Sequence, residues 1–314
     1  MSWVLNMFLH KDDRELFYDV IITVSERMNI AVDIVEKDYY VTMILSEIAK
    51  SCDSVVFKGG TSISKAYKAI DRFSEDVDIT FTEHIGSSRR KKLKYQILYP
   101  ISEMLELPIS NWDRIESDKD YNHYDFVYQS VSDEANPLHP LVKVETALMS
   151  YAFPTETRYI SNIIFDCLQT SDPEILTDYH LNPFPMKVQT LSRTLIDKMF
   201  AVCDYYLLGK SRRNSRHLYD IYKLYPLISD EVSFAELICE VYKQRAKMDL
   251  KRTPAAQPGV NICEVAQKLC NEDFYKDDYE ETTKKLISDN LSYAEAKDFY
   301  FILMRKYFDH KQEN

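Results

Sequence analysis

The chain is short of glycine, of positive charge and of long apolar runs. Only 5 of its 314 residues are glycine, which argues against long flexible linkers and favours a compact helical protein. Its 39 Lys and Arg face 50 Asp and Glu, so the net charge is −11 and any nucleic-acid contact has to come from a local basic patch. No stretch approaches the roughly 20 apolar residues of a membrane span. Broad nucleic-acid coating and membrane insertion are therefore not expected.

Paired cysteines are also missing. None of the six cysteines forms a C-x-x-C pair or the spacing of a zinc site. We therefore expect buried or half-buried free thiols, as in a protein of a reducing cytoplasm. The six are Cys52, Cys167, Cys203, Cys239, Cys263 and Cys270.

Two of the five glycines stand side by side after a short apolar run that reads as a strand. Gly59 and Gly60 allow the backbone to turn sharply and a ligand to approach it closely. Thr61 and Ser62 are N-cap candidates for a helix whose apolar spacing continues to Ile70. Because the first N–H groups of a helix lack partners, this stretch predicts a phosphate-binding turn.

A second strand follows the predicted helix and carries two carboxylates. Alternation along residues 74–81 places Asp76 and Asp78 on one face, two residues apart. Carboxylates this close repel each other unless a cation lies between them. Their hard oxygens suit Mg²⁺, which lets substrate phosphates complete its shell. A phosphate-binding turn before a metal-binding pair indicates nucleotidyl transfer.

These residues resemble a known family. Gly-Gly-Thr-Ser, one helix and then Asp76-x-Asp78 resemble the signature of the DNA-polymerase-β-like nucleotidyltransferase superfamily. The fuller strings at residues 57–67 and 72–79 resemble one branch, the AbiEii/AbiGii-type toxins of bacterial type IV toxin–antitoxin systems. The segments 35–42, 194–198 and 213–222 agree, so the resemblance spans about residues 32–226. The glycine-to-aspartate spacing is longer than in many members, and we expect one more helical turn to absorb the difference.

The resemblance implies three further site residues. Members of the superfamily place a third carboxylate on a neighbouring strand, and Glu145 is the best match, with a surface pair to Lys143 as the alternative. Lys198 matches a family motif and is expected to contact the triphosphate. Asp220 is expected to position Lys198, the metal or the acceptor. The plainer interpretation of Asp220 is an i, i+4 pair with Arg216.

Four overlapping sets of residues are therefore expected to form the site. The metal set is Asp76, Asp78 and Glu145, and the catalytic set adds Lys198 and Asp220. The nucleotide-binding set is Lys58, Gly59, Gly60, Thr61, Ser62, Lys65, Arg72 and Lys198. The densest basic loop is expected to bind RNA or nucleotide phosphates, through Lys210, Arg212, Arg213 and Arg216.

Two other charged segments each allow two interpretations. Glu36, Lys37 and Asp38 lie near the start of a predicted helix over 32–50, for which Asp33 is a candidate cap. By spacing alone they form a solvated face, whereas the family resemblance implies that they border the nucleotide site or brace the glycine turn. The basic run 89–92 begins a second predicted helix and is either a solvated helix start or an RNA contact.

The predicted fold class is α+β. Residues 1–190 are expected to form a polymerase-β-like nucleotidyltransferase domain, with a mixed sheet flanked by helices. Residues 191–314 are expected to form an all-α helical domain that completes the active-site cleft. Further strands are predicted at 124–131, 140–149, 158–166 and 187–191, with Pro183 and Pro185 in the break between the last two. Gly209 is expected to end a buried helix, and Ser292 with Glu295 forms a capping box.

The predicted activity is transfer of a nucleoside monophosphate from an NTP to an acceptor hydroxyl, with Mg²⁺ or Mn²⁺. The resemblance implies RNA as acceptor, first of all the 3′ end of tRNA, and growth arrest in the bacterial cytoplasm. It also implies an antitoxin that acts without stable binding. Three alternatives stay open: transfer to a protein or small-molecule hydroxyl, a nucleotide-binding module without turnover, and an RNA-binding protein that uses the basic loop alone.

Overall fold

A computed structural model describes residues 7–117, 119–131, 139–148 and 152–309. Packing divides the chain into two units. Unit 1 holds Met1–Tyr67 and Ser74–Gln189, and unit 2 holds Lys68–Phe73 and Thr190–Asn314. A short segment between the glycine turn and the aspartate pair thus belongs to the second unit.

Unit 1 contains a six-stranded mixed sheet. Its strands are β1 Val55–Lys58, β2 Val77–Phe81, β3 Tyr121–Val127, β4 Leu141–Ala147, β5 Thr155–Ile160 and β6 Phe184–Gln189. They lie in the order β3–β4–β2–β1–β6–β5. β1 runs parallel to β6 and β2 to β4, whereas the pairs β1–β2, β3–β4 and β5–β6 are antiparallel. The predicted mixed sheet is confirmed.

Helices flank this sheet. They are α1 Leu9–Asp12, α2 Arg14–Met28, α3 Val32–Ser51, α4 Gly59–Lys65, α5 Ser87–Lys92, α6 Tyr99–Met104, α7 Ile163–Leu168 and α8 Pro173–Asp178. A π-helical stretch, Leu93–Leu98, joins α5 to α6, and Trp112–Arg114 is a 3₁₀ turn. The long helix α3 is buried along most of its length and packs on β4 and β6.

Alternation along the strands separates an apolar face from a polar one. Phe57, Ile79 and Val144 are fully buried and join the core that includes α3. The residues between them on each strand point to the opposite face, as the pleat of a strand requires. That second face carries the polar residues of the site.

Among the described residues of unit 2, the regular secondary structure is helical, apart from an isolated β-bridge between Arg72 and Ile287. This confirms the predicted α-helical second part. Gly209, with φ +66, follows the first of these helices, and the Ser292–Glu295 capping box is present. The helices are α9 Leu191–Leu207, α10 Arg216–Leu224, α11 Glu231–Arg245, α12 Ile262–Asn271, α13 Lys276–Asp278, α14 Lys284–Leu286 and α15 Tyr293–Phe308.

The helix after the glycine turn is shorter than predicted. α4 begins at Gly59 with Lys58 as its N-cap, so Thr61 and Ser62 lie inside it. It ends at Lys65, and Lys68 then adopts a left-handed conformation with φ 50. The long glycine-to-aspartate spacing is therefore absorbed by a non-helical segment, not by an extra helical turn.

Other predicted boundaries are also wrong. β5 ends at Ile160, and Asn162 then caps α7, so residues 163–166 of the predicted strand are helical. Pro185 lies inside β6, opposite Tyr159, and does not break it. The N-cap of α3 is Ala31 without a side-chain bond, so Asp33 is not the cap. The predicted end of the strand that contains β4, Met149, lies outside the described residues.

All six cysteines are free thiols. Cys239 is exposed, whereas a buried or half-buried position was predicted for every cysteine. In the ranges that the structure describes, no helix is both long enough and apolar enough to cross a membrane.

Candidate active site

The glycine turn makes room for a carboxylate. Gly59 has φ +79, in the left-handed region that favours glycine. A Cβ atom on Gly59 would lie 1.9 Å from Oδ2 of Asp78. Glycine is therefore required at position 59 for two reasons: the left-handed turn and the close approach of the Asp78 side chain.

Thr61 ties α4 to the residues that enter β2. Its hydroxyl donates to the backbone oxygen of Asp76 and lies 2.9 Å from Oγ of Ser74. Thr61 is buried, and the Ser62 hydroxyl donates to the backbone oxygen of Gly59 at 3.0 Å. Both side chains thus hold the turn together.

Strand register brings four polar residues into one row. Lys58 in β1 lies opposite Asp78 in β2, Asp78 lies beside Glu145 in β4, and Glu145 lies opposite His123 in β3. Side chains of paired residues on neighbouring strands project from the same face. All four residues are half-buried. Two of the three predicted metal ligands are therefore neighbours, and Asp76 immediately precedes β2.

The donor set of this face suits a hard divalent cation, since Asp76, Asp78 and Glu145 offer carboxylate oxygens. The three carboxylates act on a common neighbour, the Tyr121 phenol, which is hydrogen-bonded to Glu145. Burial, then Glu145 and the two aspartates, raise the pKa of Tyr121. Among the described residues, no three His, Cys, Asp or Glu side chains stand in a metal-binding arrangement. The fit rests on donor chemistry and strand register.

Lys65, which is predicted to bind the nucleotide, makes bracing contacts within unit 1. Its Nζ donates to Oδ1 of Asp38 at 2.5 Å and to Oγ1 of Thr42 at 2.7 Å, and the residue is 8% exposed. Oδ2 of Asp38 also accepts from the N–H of Ile163 at 2.8 Å. Asp38 therefore joins α3 to α4 and α7, which agrees with the interpretation that it braces the glycine turn.

Glu36 and Lys37, which precede the half-buried Asp38 on α3, are buried, so the solvated-face interpretation is wrong. Lys37 forms an ion pair with Glu75, directly before Asp76, and donates to the backbone oxygen of His139 at 3.2 Å. Glu36 accepts from the Ser130 hydroxyl and the Val131 N–H. Burial raises the pKa of Glu36, although these hydrogen bonds oppose the shift.

Unit 2 holds a buried cluster around Asp220, which is 0% exposed. Nε and Nη2 of Arg72 each lie 2.7 Å from its carboxylate oxygens, and Nζ of Lys198 lies 2.7 Å from Oδ2. These partners, and not Arg216, hold Asp220. Arg72, predicted to bind the nucleotide, is thus engaged in a two-pronged ion pair.

The cluster carries one more positive than negative charge. Burial alone would raise the pKa of Asp220, but Arg72 and Lys198 outweigh it and hold that pKa below its usual range. Burial lowers the pKa of Lys198 in spite of Asp220. Asp220 therefore positions Lys198 and stays ionised, as one of the predicted roles requires.

The basic loop is shaped by an acidic residue. The Asp278 carboxylate accepts from the N–H of Arg213 at 2.6 Å, and from the N–H and the hydroxyl of Ser215 at 3.0 and 2.6 Å. Arg213 has φ 63, a left-handed conformation that these bonds stabilise. Three of the predicted phosphate-binding side chains are exposed and Arg216 is half-buried; the exposed ones are Lys210, Arg212 and Arg213.

Residues 44–312 match the family model described as nucleotidyl transferase AbiEii toxin, type IV TA system. The chain belongs to this AbiEii family. It is a nucleotidyltransferase toxin of a type IV toxin–antitoxin system, which implies an NTP substrate and an antitoxin partner.

Among solved structures, MenT4, a nucleotidyltransferase toxin from Mycobacterium tuberculosis, has a similar fold. The TM-score is 0.54 at 15% identity, over 90% of this chain and 89% of that chain. No curated protein matches the chain.

Sequence reasoning missed two residues of the AbiEii site face. Tyr121 and His123 lie in β3, but the predicted strand began only at Tyr124. Alternation of Tyr121, His123 and Asp125 with buried neighbours was the signal that could have found them. The bracing role of Asp38 has no such local signal, because its partners are distant in the chain.

Proposed function

We propose that this AbiEii-family protein transfers a nucleoside monophosphate from an NTP to a hydroxyl of RNA, first of all the 3′ end of tRNA. Asp76, Asp78 and Glu145 would hold Mg²⁺, or Mn²⁺ in its place. The observation that carries the proposal is the row across the sheet, in which Asp78 lies between Lys58 and Glu145 and packs against Gly59.

The chemistry follows from the groups on this face. The acceptor oxygen attacks the α-phosphorus, the bond to the β-phosphate breaks, and pyrophosphate leaves. Glu145 accepts the proton of the acceptor hydroxyl, and Tyr121 keeps that carboxylate in place through its hydrogen bond. A bound divalent ion would neutralise charge on the phosphates and on the attacking oxygen.

Positive side chains hold the nucleotide in this proposal. Lys58 projects from the site face, and the backbone of Gly59 and Gly60 lies close to the phosphates. Lys198 binds triphosphate oxygens, supported by the excess positive charge of its cluster. We assign Lys65 and Arg72 to the support of these groups, because their charges already face Asp38 and Asp220.

The basic loop binds phosphates of the RNA. Its exposed cations stand on a backbone that Asp278 fixes, so little ordering is needed on binding. In the bacterial cytoplasm, where NTPs and tRNA are present, transfer to the tRNA end would stop translation and growth. The antitoxin would reverse the arrest without a stable complex.

The test is a transfer assay. The purified protein is incubated with Mg²⁺, total bacterial RNA and each NTP in turn, labelled at the α-phosphate, beside Asp76→Ala. We expect label in small RNA with one or two of the nucleotides, no label after chelation of the metal, and none with Asp76→Ala. Label in protein or in a small solute would retain the chemistry and reject RNA as the acceptor. Transfer by Asp76→Ala within a few fold of the parent rate would contradict the mechanism.

A further inference from the structure

Three large aromatic side chains lie together on the surface of unit 1. Tyr95 is 53% exposed and Tyr99 is 43% exposed, on the helical stretch that runs from α5 through α6. Both rings contact Trp112, with centroid distances of 5.6 and 5.2 Å. We call these three residues the aromatic cluster. Trp112 is half-buried. Large aromatic side chains usually bury their area in a core, so the two exposed tyrosines beside Trp112 indicate a binding surface.

A buried lysine fixes the aromatic cluster in place. Nζ of Lys94 lies 4.4 Å from the centroid of the Trp112 ring and donates to the backbone oxygen of Ile115 at 2.8 Å. The cation–π contact and the hydrogen bond together hold the loop that presents Trp112. The rings are thus set before any ligand arrives, which reduces the entropic cost of binding.

Exposed lysines precede the two tyrosines on the same helical stretch. Lys91 and Lys92 precede Tyr95 by four and three residues, and Tyr99 follows it by four. All four residues are exposed on this helical stretch. The other two basic residues of the run have partners within the chain: Arg89 forms an exposed pair with Glu83, and the buried Arg90 donates to the backbone oxygen of Ile85. Positive charge is therefore presented beside the rings, in a chain whose net charge is −11.

The aromatic cluster borders the strand that carries part of the site. Asn111, next to Trp112, donates to the backbone oxygen of His123 at 2.9 Å and accepts from the N–H of Asp125 at 3.0 Å. Arg90 pairs with Asp120 at 2.8 Å, directly before Tyr121. β3 is the edge strand of the sheet, so the loop that carries Trp112 runs along this edge, beside the strand that contributes His123.

We propose that the aromatic cluster, with Lys91 and Lys92, binds a single-stranded segment of the acceptor RNA near its reacting end. Unpaired bases stack on Tyr95 and Tyr99, and the two lysines pair with phosphates. The inference rests on the proposed function, because it takes RNA as the acceptor. It assigns the rings to a partner that offers flat bases and negative charge together, which single-stranded RNA does.

The first test distinguishes base stacking on the two tyrosine rings from contact with any apolar side chain of similar size. The double variant Tyr95→Leu/Tyr99→Leu keeps apolar bulk without a ring, whereas Tyr95→Phe/Tyr99→Phe keeps the ring. We expect the Leu pair to raise the Kd for a short single-stranded RNA, and the KM for acceptor RNA, by about tenfold or more. The Phe double variant should keep the parent's Kd for RNA and KM for acceptor RNA. The KM for NTP should not change in either double variant.

Charge is tested by the salt dependence of RNA binding. Lys91→Gln/Lys92→Gln should lower the slope of log Kd against log salt by about 0.7 for each lost phosphate contact. The Leu pair should leave this slope unchanged. Two variants of exposed residues serve as matched controls: Tyr159→Leu on β5, at the opposite edge of the sheet, and Lys50→Gln. Both should keep the parent's Kd for RNA and its salt dependence.

RNA affinity that is equal in the Leu and Phe pairs would overturn the proposal and leave a protein partner as the occupant of the aromatic cluster. Failure of the proposed function would look different, because the unaltered protein would then transfer no label to RNA. Binding measured without NTP tests the aromatic cluster in that case too. An unaltered protein that neither labels nor binds RNA would reject both.

Discussion

Gly59 is the residue whose replacement has the sharpest expected result. In Gly59→Ala, the left-handed backbone costs about 1–2 kcal/mol for any L side chain, and the new methyl group also meets the Asp78 carboxylate. We expect loss of transfer activity together with a lower free energy of unfolding. Denaturant unfolding and the labelled-NTP assay measure the two effects.

Gly259→Ala is the matched control, because Gly259 has φ +83 and a Cβ there would meet no atom within 4 Å. Gly259→Ala should lower the free energy of unfolding through the strained backbone but keep the parent's transfer activity. Parent-level transfer by Gly59→Ala would mean that the position of Asp78 is not critical.

Asp220 stabilises the fold through two buried cations. Asp220→Asn leaves Arg72 and Lys198 without their carboxylate, and we expect a loss of about 3–5 kcal/mol in the free energy of unfolding. Its pKa in the folded protein lies below its ordinary value of about 3.9. Its contribution is therefore complete above that value and is lost as the pH falls through the folded pKa.

The gap in stability between the parent and Asp220→Asn should accordingly shrink as the pH falls below about 4. Denaturant unfolding of both proteins between pH 3 and 7 measures it. The exposed Asp298→Asn serves as the control and should leave the free energy of unfolding nearly unchanged. A gap that stays constant down to pH 3 would show that the carboxylate charge is not what stabilises the cluster.

The brace between α3 and α4 allows the role of Lys65 to be decided. Lys65→Met keeps the apolar stem but leaves Asp38 with only the Ile163 N–H among the bonds described above, so we expect about 3 kcal/mol less stability. The KM for NTP of the folded variant should stay near the parent value. Unchanged stability with a raised KM for NTP would restore Lys65 to the nucleotide-binding set.

Elements with a local pattern were predictable, and those shaped by distant contacts were not. Alternation alone places Asp78 and Glu145 on one face of their strands, and the strand register then confirms that they are neighbours. The early end of α4 was missed, since the segment Lys68–Phe73, separated from this end by two residues, packs in unit 2. Arg72 and Asp220 are 148 positions apart, and no spacing rule connects them.

Net charge bears on how the whole protein would act in a cell. At −11, the chain as a whole repels RNA, so growth arrest through non-specific RNA binding is disfavoured and turnover is the expected cause. Expression of the protein should stop bacterial growth, whereas Asp78→Asn, which keeps the shape of the side chain, should not. Growth curves at matched protein levels measure this. Equal arrest by both proteins would show that binding without catalysis is sufficient.

The position of the segment Lys68–Phe73 in the chain limits where related genes can recombine. The segment is encoded between two parts of unit 1 but belongs to unit 2, so the chain passes from one unit to the other at three peptide connections. A single genetic crossover near codon 190 would bring in a new Asp220 while retaining the old Arg72. A crossover between related genes that transfers the codons of Arg72 and Asp220 together keeps this ion pair. A crossover that transfers only one of the two codons requires a compatible residue at the other position.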